Sequence, residues 1–237
     1  MPTTTRIEVK AGAAGPDTAV SSGVIRVRPL RGAPGVLRLG LVATEALLLA
    51  GDAVRVEVSA AGPVAVEIVE IAGTVAYDMR GGTARWEVSA ELSDGAGLTW
   101  EAQPFVVSAG ADVDRTTTLT ADVGCTATLR ETLVLGRAGQ EGGALRADTR
   151  ITVGGSPLLV ERLDLGSDAR AGWATLHGHR CLDTLTTVGH RLPDDPGTLQ
   201  LEGCGSVARW IGDELHRSTG VLPSVTSIPM AGRAIYM

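Results

Sequence analysis

The chain has 237 residues, 44% of them hydrophobic and only 3% aromatic, with a formal net charge of −6 and a pI near 5.2. An acidic chain whose arginines form no dense run lacks the clustered cations that a nucleic-acid surface requires. Lys10 is the only lysine, which excludes a phosphate-binding loop of the GxxxxGK[ST] type.

The N-terminus, Met1-Pro2-Thr3-Thr4-Thr5-Arg6-Ile7-Glu8, lacks the apolar centre of a signal peptide, so a cytoplasmic protein is expected, with residues 1 to 22 loosely ordered. Residues 42 to 50 fit a short helix or a buried strand equally well. Val54, Val56 and Val58 then alternate with Arg55, Glu57 and Ser59, and Trp86, Val88, Ala90 and Leu92 alternate with Arg85, Glu87, Ser89 and Glu91. A period of two is the mark of a half-buried strand. Ile151 and Val153 repeat it, and Gly-rich turn signals such as Gly81-Gly82, Asp94-Gly95 and Gly154-Gly155 separate the strands. The segment from Ser206 is expected to be a helix over about 206 to 217, with Val207, Trp210, Ile211 and Leu215 on one face. The tail over residues 224 to 237 reads as loosely ordered. The expectation is a mainly β fold in a single domain spanning residues 1 to 237, built of layered, largely antiparallel strands with sandwich or β-helix-like character and one or two helices. Cys125, Cys181 and Cys204 are odd in number and widely spaced, so they read as reduced thiols.

Catalytic machinery is absent from the pattern. Gly-x-Ser-x-Gly and HExxH do not occur, and four scattered histidines offer no base with an identifiable partner. His177, His179 and Cys181 would place two imidazoles and a thiol on one face of an extended strand, a set of ligands for Ni²⁺, Cu²⁺ or Zn²⁺. A closed site needs a fourth ligand, and alternating polar residues are common on solvent-facing strands, so a plain surface strand is favoured. Glu131 and Glu161 sit in otherwise apolar strand sequence. They could divide acid and base roles, but pairing with the adjacent Arg130 and Arg162 at a sheet surface is the simpler expectation. Glu67 and Glu70 pose the same question.

Four markers recur in order between Leu47 and Leu165. They are Leu49-Ala50-Gly51-Asp52, Ala72-Gly73-Thr74-Val75-Ala76-Tyr77, Leu135-Gly136-Arg137 and Leu159-Val160-Glu161-Arg162-Leu163. Together they resemble the urease accessory family called UreD or UreH. Gly51, Asp52, Thr74, Tyr77, Gly136 and Arg137 match the family motifs. Ile71 and Val75 depart from them, as does Val42-Ala43-Thr44-Glu45, which stands where the family has Pro-Pro-Gly-Gly.

The resemblance implies a non-enzymatic chaperone with no tightly bound cofactor and no membrane or nucleic-acid partner. It would bind a UreF-like helical protein and, through it, a UreG-like GTPase, in a dimer of heterocomplexes that docks on apo-urease and inserts nickel. It further implies an interior nickel route, with Asp52, Glu131 and Glu161 at acidic family positions as weak, transient Ni²⁺ stations. Two alternatives differ in class: a β-sandwich ligand-binding module, and a metal-dependent hydrolase using His177 and His179.

Overall fold

A computed structural model describes residues 3–166, 171–225 and 228. The strands in chain order are β1 (Thr3–Gly12), β2 (Gly15–Ser21), β3 (Ile25–Leu30), β4 (Val36–Ala43), β5 (Ala53–Ala61), β6 (Ala65–Glu70), β7 (Thr74–Ala76), β8 (Ala84–Ser93), β9 (Gly97–Glu101), β10 (Phe105–Val107), β11 (Asp112–Ala121), β12 (Thr126–Leu135), β13 (Ala144–Val153), β14 (Ser156–Asp164), β15 (Cys181–Val188), β16 (Thr198–Gln200) and β17 (Gly205–Gly212). A short 3-10 helix, Leu215–Gly220, follows. One sheet runs β14-β13-β11-β8-β5-β1-β2 and the other β16-β17-β15-β12-β9-β6-β4-β3, with β7 and β10 attached beside β12.

From β4 to β13 the chain passes alternately between the two sheets, so that β5, β8, β11 and β13 stack in parallel on one side and β4, β6, β9 and β12 on the other. This is the winding of a β-solenoid, and it bears out the mainly β, β-helix-like expectation. The direction of the strands is a correction. The centre of each sheet is parallel, and antiparallel pairs occur at the margins, as in β1 with β2, β3 with β4, β13 with β14 and β15 with β17. Period two reports only that one face is buried and carries no information on the direction of a neighbour.

Stacking aligns the coils in register. Val58, Ala90, Leu119 and Ile151 pair successively along one sheet, and Val66, Leu98, Ala127 and Val188 along the other. All eight are buried and form a continuous apolar core between the sheets. No fixed repeat is visible because coils of unequal length hold the same register; each turn absorbs the difference.

Three local expectations change. Residues 1 to 22 were expected to be loose, yet Thr3–Ser21 form β1 and β2, because Ile7 and Val9 add to the core and β1 pairs in parallel with β5. The expected helix over 206 to 217 is instead β17 followed by the 3-10 helix. Val207 and Ala208 fit either period, and eight paired positions with β15 decide for the strand. Ser206 does not cap; its hydroxyl donates to Gln200 Oε1 at 2.6 Å and accepts the Leu192 amide at 3.0 Å. Residues 44 to 50 form a loop rather than a helix or strand. The tail over 224 to 237 lies outside the described residues apart from Ser224, Val225 and Ile228, of which Val225 and Ile228 pack with Leu185, Leu192, Ala208 and Leu222 in a second small cluster. Among the described residues no helix is long and apolar enough to cross a membrane.

Candidate functional site, an interior row of charges

A line of charged side chains interrupts the core. On β11 the buried phase reads Val113, Arg115, Thr117, Leu119, Ala121, so a guanidinium and a hydroxyl occupy places that an apolar strand would fill with aliphatic groups. Facing them from β12 is Glu131, on the same phase as the buried Leu129 and Leu133. Its Oε1 accepts three bonds: from Arg115 Nη2 at 2.8 Å, from Arg115 Nε at 3.3 Å and from Thr117 Oγ1 at 2.7 Å. Arg115 is only 7% exposed and Glu131 22%. The Arg115 guanidinium also lies 5.0 Å from the centre of the Phe105 ring, within cation–π range.

Register extends the line in both directions. Val69 pairs with Glu101 and Glu101 with Arg130, so the next residues, Glu70 and Glu131, fall in one row across the sheet. Glu131 pairs in turn with Thr184 and Thr184 with Arg209. Arg209 Nη2 bonds Glu161 Oε2, which comes from β14 of the facing sheet. The row therefore contains Glu70, Arg115, Glu131, Arg209 and Glu161, with carboxylate and guanidinium alternating. From β6 to β17 there are four strand spacings, or about 19 Å.

Voids accompany the row. A cavity of about 210 Å³ is lined by Glu70, Val56, Leu41, Thr74, Tyr77 and Trp86 among others. Two narrow voids of about 20 Å³ each follow; one lies beside Trp100, Arg115 and Glu131, and the other beside Arg115, Glu131, Thr184, Glu161 and Arg209. Burial pushes the Glu70 carboxyl above the usual carboxylate range. The Arg115 charge, the Gln103 amide at 3.1 Å and the Trp100 indole at 3.3 Å oppose that rise, while Glu131 adds to it.

The adjacent-arginine expectation for Glu131 and Glu161 is corrected. Neighbours in a strand point to opposite faces. Arg130 accordingly turns to the opposite face of its sheet, where it meets the buried Asp183 with bonds of 2.6 and 3.2 Å, and Arg162 faces Asp148 at 3.6 Å. Sequence reasoning missed Arg115 and Arg209; the available signal was a charged residue in the apolar phase of a strand.

Asp52 lies elsewhere. It closes the turn before β5, its Oδ2 accepting the Leu49 amide at 2.7 Å, and it lines none of the three voids. His177, His179 and Cys181 do not share one strand face. His177 occupies a left-handed turn with φ 49°, and β15 begins only at Cys181. His179 Nδ1 lies 3.1 Å from Asp213 Oδ2, and the Cys181 thiol donates to the Asp213 carbonyl at 3.6 Å. Burial pushes that thiol's pKa up, away from the thiolate that metal binding needs. Among the described residues no group of three or more His, Cys, Asp or Glu side chains is placed to hold a metal ion.

The motif glycines have backbone reasons. Gly51 sits at φ 86°, and Gly136 at φ 87° with space so tight that a Cβ would stand 2.3 Å from the Gln140 carbonyl oxygen. Tyr77 and Arg137 meet, the guanidinium 5.1 Å from the ring centre.

Residues 4–235 match the family described as UreD urease accessory protein. The chain belongs to the UreD urease accessory protein family. Urease accessory protein UreD 1 of Streptomyces griseus subsp. griseus is 41% identical over 190 residues, covering 79% of this chain and 74% of that protein. Urease accessory protein UreD of Streptomyces coelicolor is 32% identical over 207 residues, 85% of this chain and 81% of that protein. That of Streptomyces avermitilis is 28% identical over 205 residues, with the same two shares.

Proposed function

We propose that this chain is a non-catalytic scaffold in urease maturation, acting in the cytoplasm as one UreD-like domain. It binds a UreF-like and, through it, a UreG-like protein, and the assembly docks on apo-urease to deliver nickel. Membership of the UreD family over residues 4–235 is the observation that carries this reading. Nickel is cargo here, and the interior row is where the chain has chemistry suited to it. Glu131 and Glu161 face one narrow void together, and carboxylate oxygens solvate a hard-to-borderline cation without the tetrahedral closure that would trap it. Weak stations in succession permit transfer. Asp52 serves the reading as the cap of the β5 turn rather than as a station.

The hydrolase alternative loses support because the residues it needs are dispersed, with His177 in a turn and His179 bound to Asp213. The test of the scaffold role is co-expression with the cognate UreF-like and UreG-like proteins. A stable complex that activates apo-urease, and loss of activation when this chain is omitted, are the expected results. A chain that runs as a monomer, unshifted by either partner, and is dispensable for activation would overturn it.

A further inference from the structure

The row holds three carboxylates, Glu70, Glu131 and Glu161, and two guanidiniums, those of Arg115 and Arg209. Two carboxylates facing one void with no counter-ion would hold a divalent cation firmly, because opposite charges attract strongly where water is scarce. Arg115 prevents this. It bonds Glu131 with two nitrogens and rests on the Phe105 ring. It also lines both narrow voids, the one beside Trp100 and the one beside Glu161.

We propose that Arg115 is the exchange residue of the row, a built-in counter-cation that occupies the position beside Glu131 and that a passing divalent cation must displace. The inference rests on the reading that nickel moves along this row. Resident guanidinium makes the row nearly neutral at rest, which keeps its affinity for free cations low. Once an ion arrives beside Glu131, Arg115 remains on the aromatic face of Phe105, and its return to Glu131 drives the ion onward. Thr117 holds Glu131 in place during the exchange through its 2.7 Å bond to Oε1. Arg209 pairs with Glu161 through one nitrogen.

The experiment uses the assembled accessory complex, incubated with NiCl₂ and stripped of free ion by gel filtration, with nickel measured per complex. Arg115→Gln leaves Glu131 without its counter-cation, and retained nickel should rise on the order of ten-fold over wild type while delivery to urease falls. The double variant Arg115→Gln, Glu131→Gln removes both partners, a change that buried pairs tolerate better than loss of one, and its retention should return to the wild-type level. Unchanged retention in an assembled Arg115→Gln complex overturns the proposal, as does a double variant that retains as much as the single one. Should Arg115→Gln not assemble, Arg115→Lys replaces it. A lysine lacks the planar fork and is a poorer occupant, so retention should rise, and wild-type retention would count against the exchange role. The outcomes separate this proposal from the reading beneath it. If Glu131→Gln, Glu161→Gln abolishes delivery while Arg115→Gln retains no extra nickel, the path stands and the exchange role falls.

Discussion

Tyr77 and Arg137 lie sixty positions apart in the chain, yet the guanidinium of one stands 5.1 Å from the ring centre of the other. Both are family-motif residues, and the contact arises because Val107 on β10 pairs with Ala76 on β7 and with Leu135 on β12. Two markers that look separate in sequence are one place in the fold.

That place should be more sensitive at Gly136 than at the cation–π pair. Tyr77→Leu is expected to lower stability by about 0.5–1 kcal/mol, since both side chains are exposed. Gly136→Ala combines a left-handed φ with a Cβ only 2.3 Å from a carbonyl oxygen and should cost about 1–3 kcal/mol. Urea unfolding of the two variants checks the ranking; equal midpoints would contradict it.

Asp183 is fully buried, and the Arg130 guanidinium and the Thr132 hydroxyl satisfy it. Asp183→Ala strands a mostly buried guanidinium and should cost about 3 kcal/mol, whereas Arg130→Met with Asp183→Leu should recover much of that loss. Unfolding midpoints for the single and double variants test this, and a double variant weaker than the single would refute it.

Glu70 gives a pH signature. Its folded pKa lies above that of the unfolded chain because of burial, so between the two values the folded state binds more protons and stability falls as pH rises through that window. Glu70→Gln removes the effect. The variant should show a flatter dependence of stability on pH above the ordinary carboxylate range and be at least as stable as wild type at neutral pH. A pH profile superimposable on that of wild type would contradict the buried-carboxyl account.

His177, His179 and Cys181 should be dispensable for urease activation, because the structure puts them in a turn and beside Asp213 rather than around a common point. The triple Ala variant, assembled with its partners, is expected to activate urease as wild type does. An assembled but inactive complex would restore them as candidates.

Much of this architecture was legible in the sequence. The alternation in β5, β8 and β13 marked strands correctly because one face of each is buried, and the glycine signals marked turns because the backbone there takes positive φ. Strand direction was not legible, since parallel and antiparallel neighbours bury the same alternate residues. The segment from Ser206 misled because its apolar residues satisfy two periods and only the pairing with β15 selects one. At the site, Glu131 and Glu161 stood out as charges in apolar strands. Their partners did not, because Arg115 and Arg209 come from strands 16 and 48 residues away, and only the winding of the coils brings them opposite.

The most direct test of the account is the nickel content of urease per assembled complex, compared between wild type and the Glu131→Gln, Glu161→Gln double variant. The substitutions keep size and hydrogen bonding while removing two charges, and each leaves a guanidinium without its carboxylate, so the comparison is made on complexes shown to be soluble and fully assembled. If the interior row carries the ion, the double variant forms the complex and docks on urease, and urease nickel falls well below the wild-type level. Equal nickel in both would contradict the interior route while leaving the scaffold role in place.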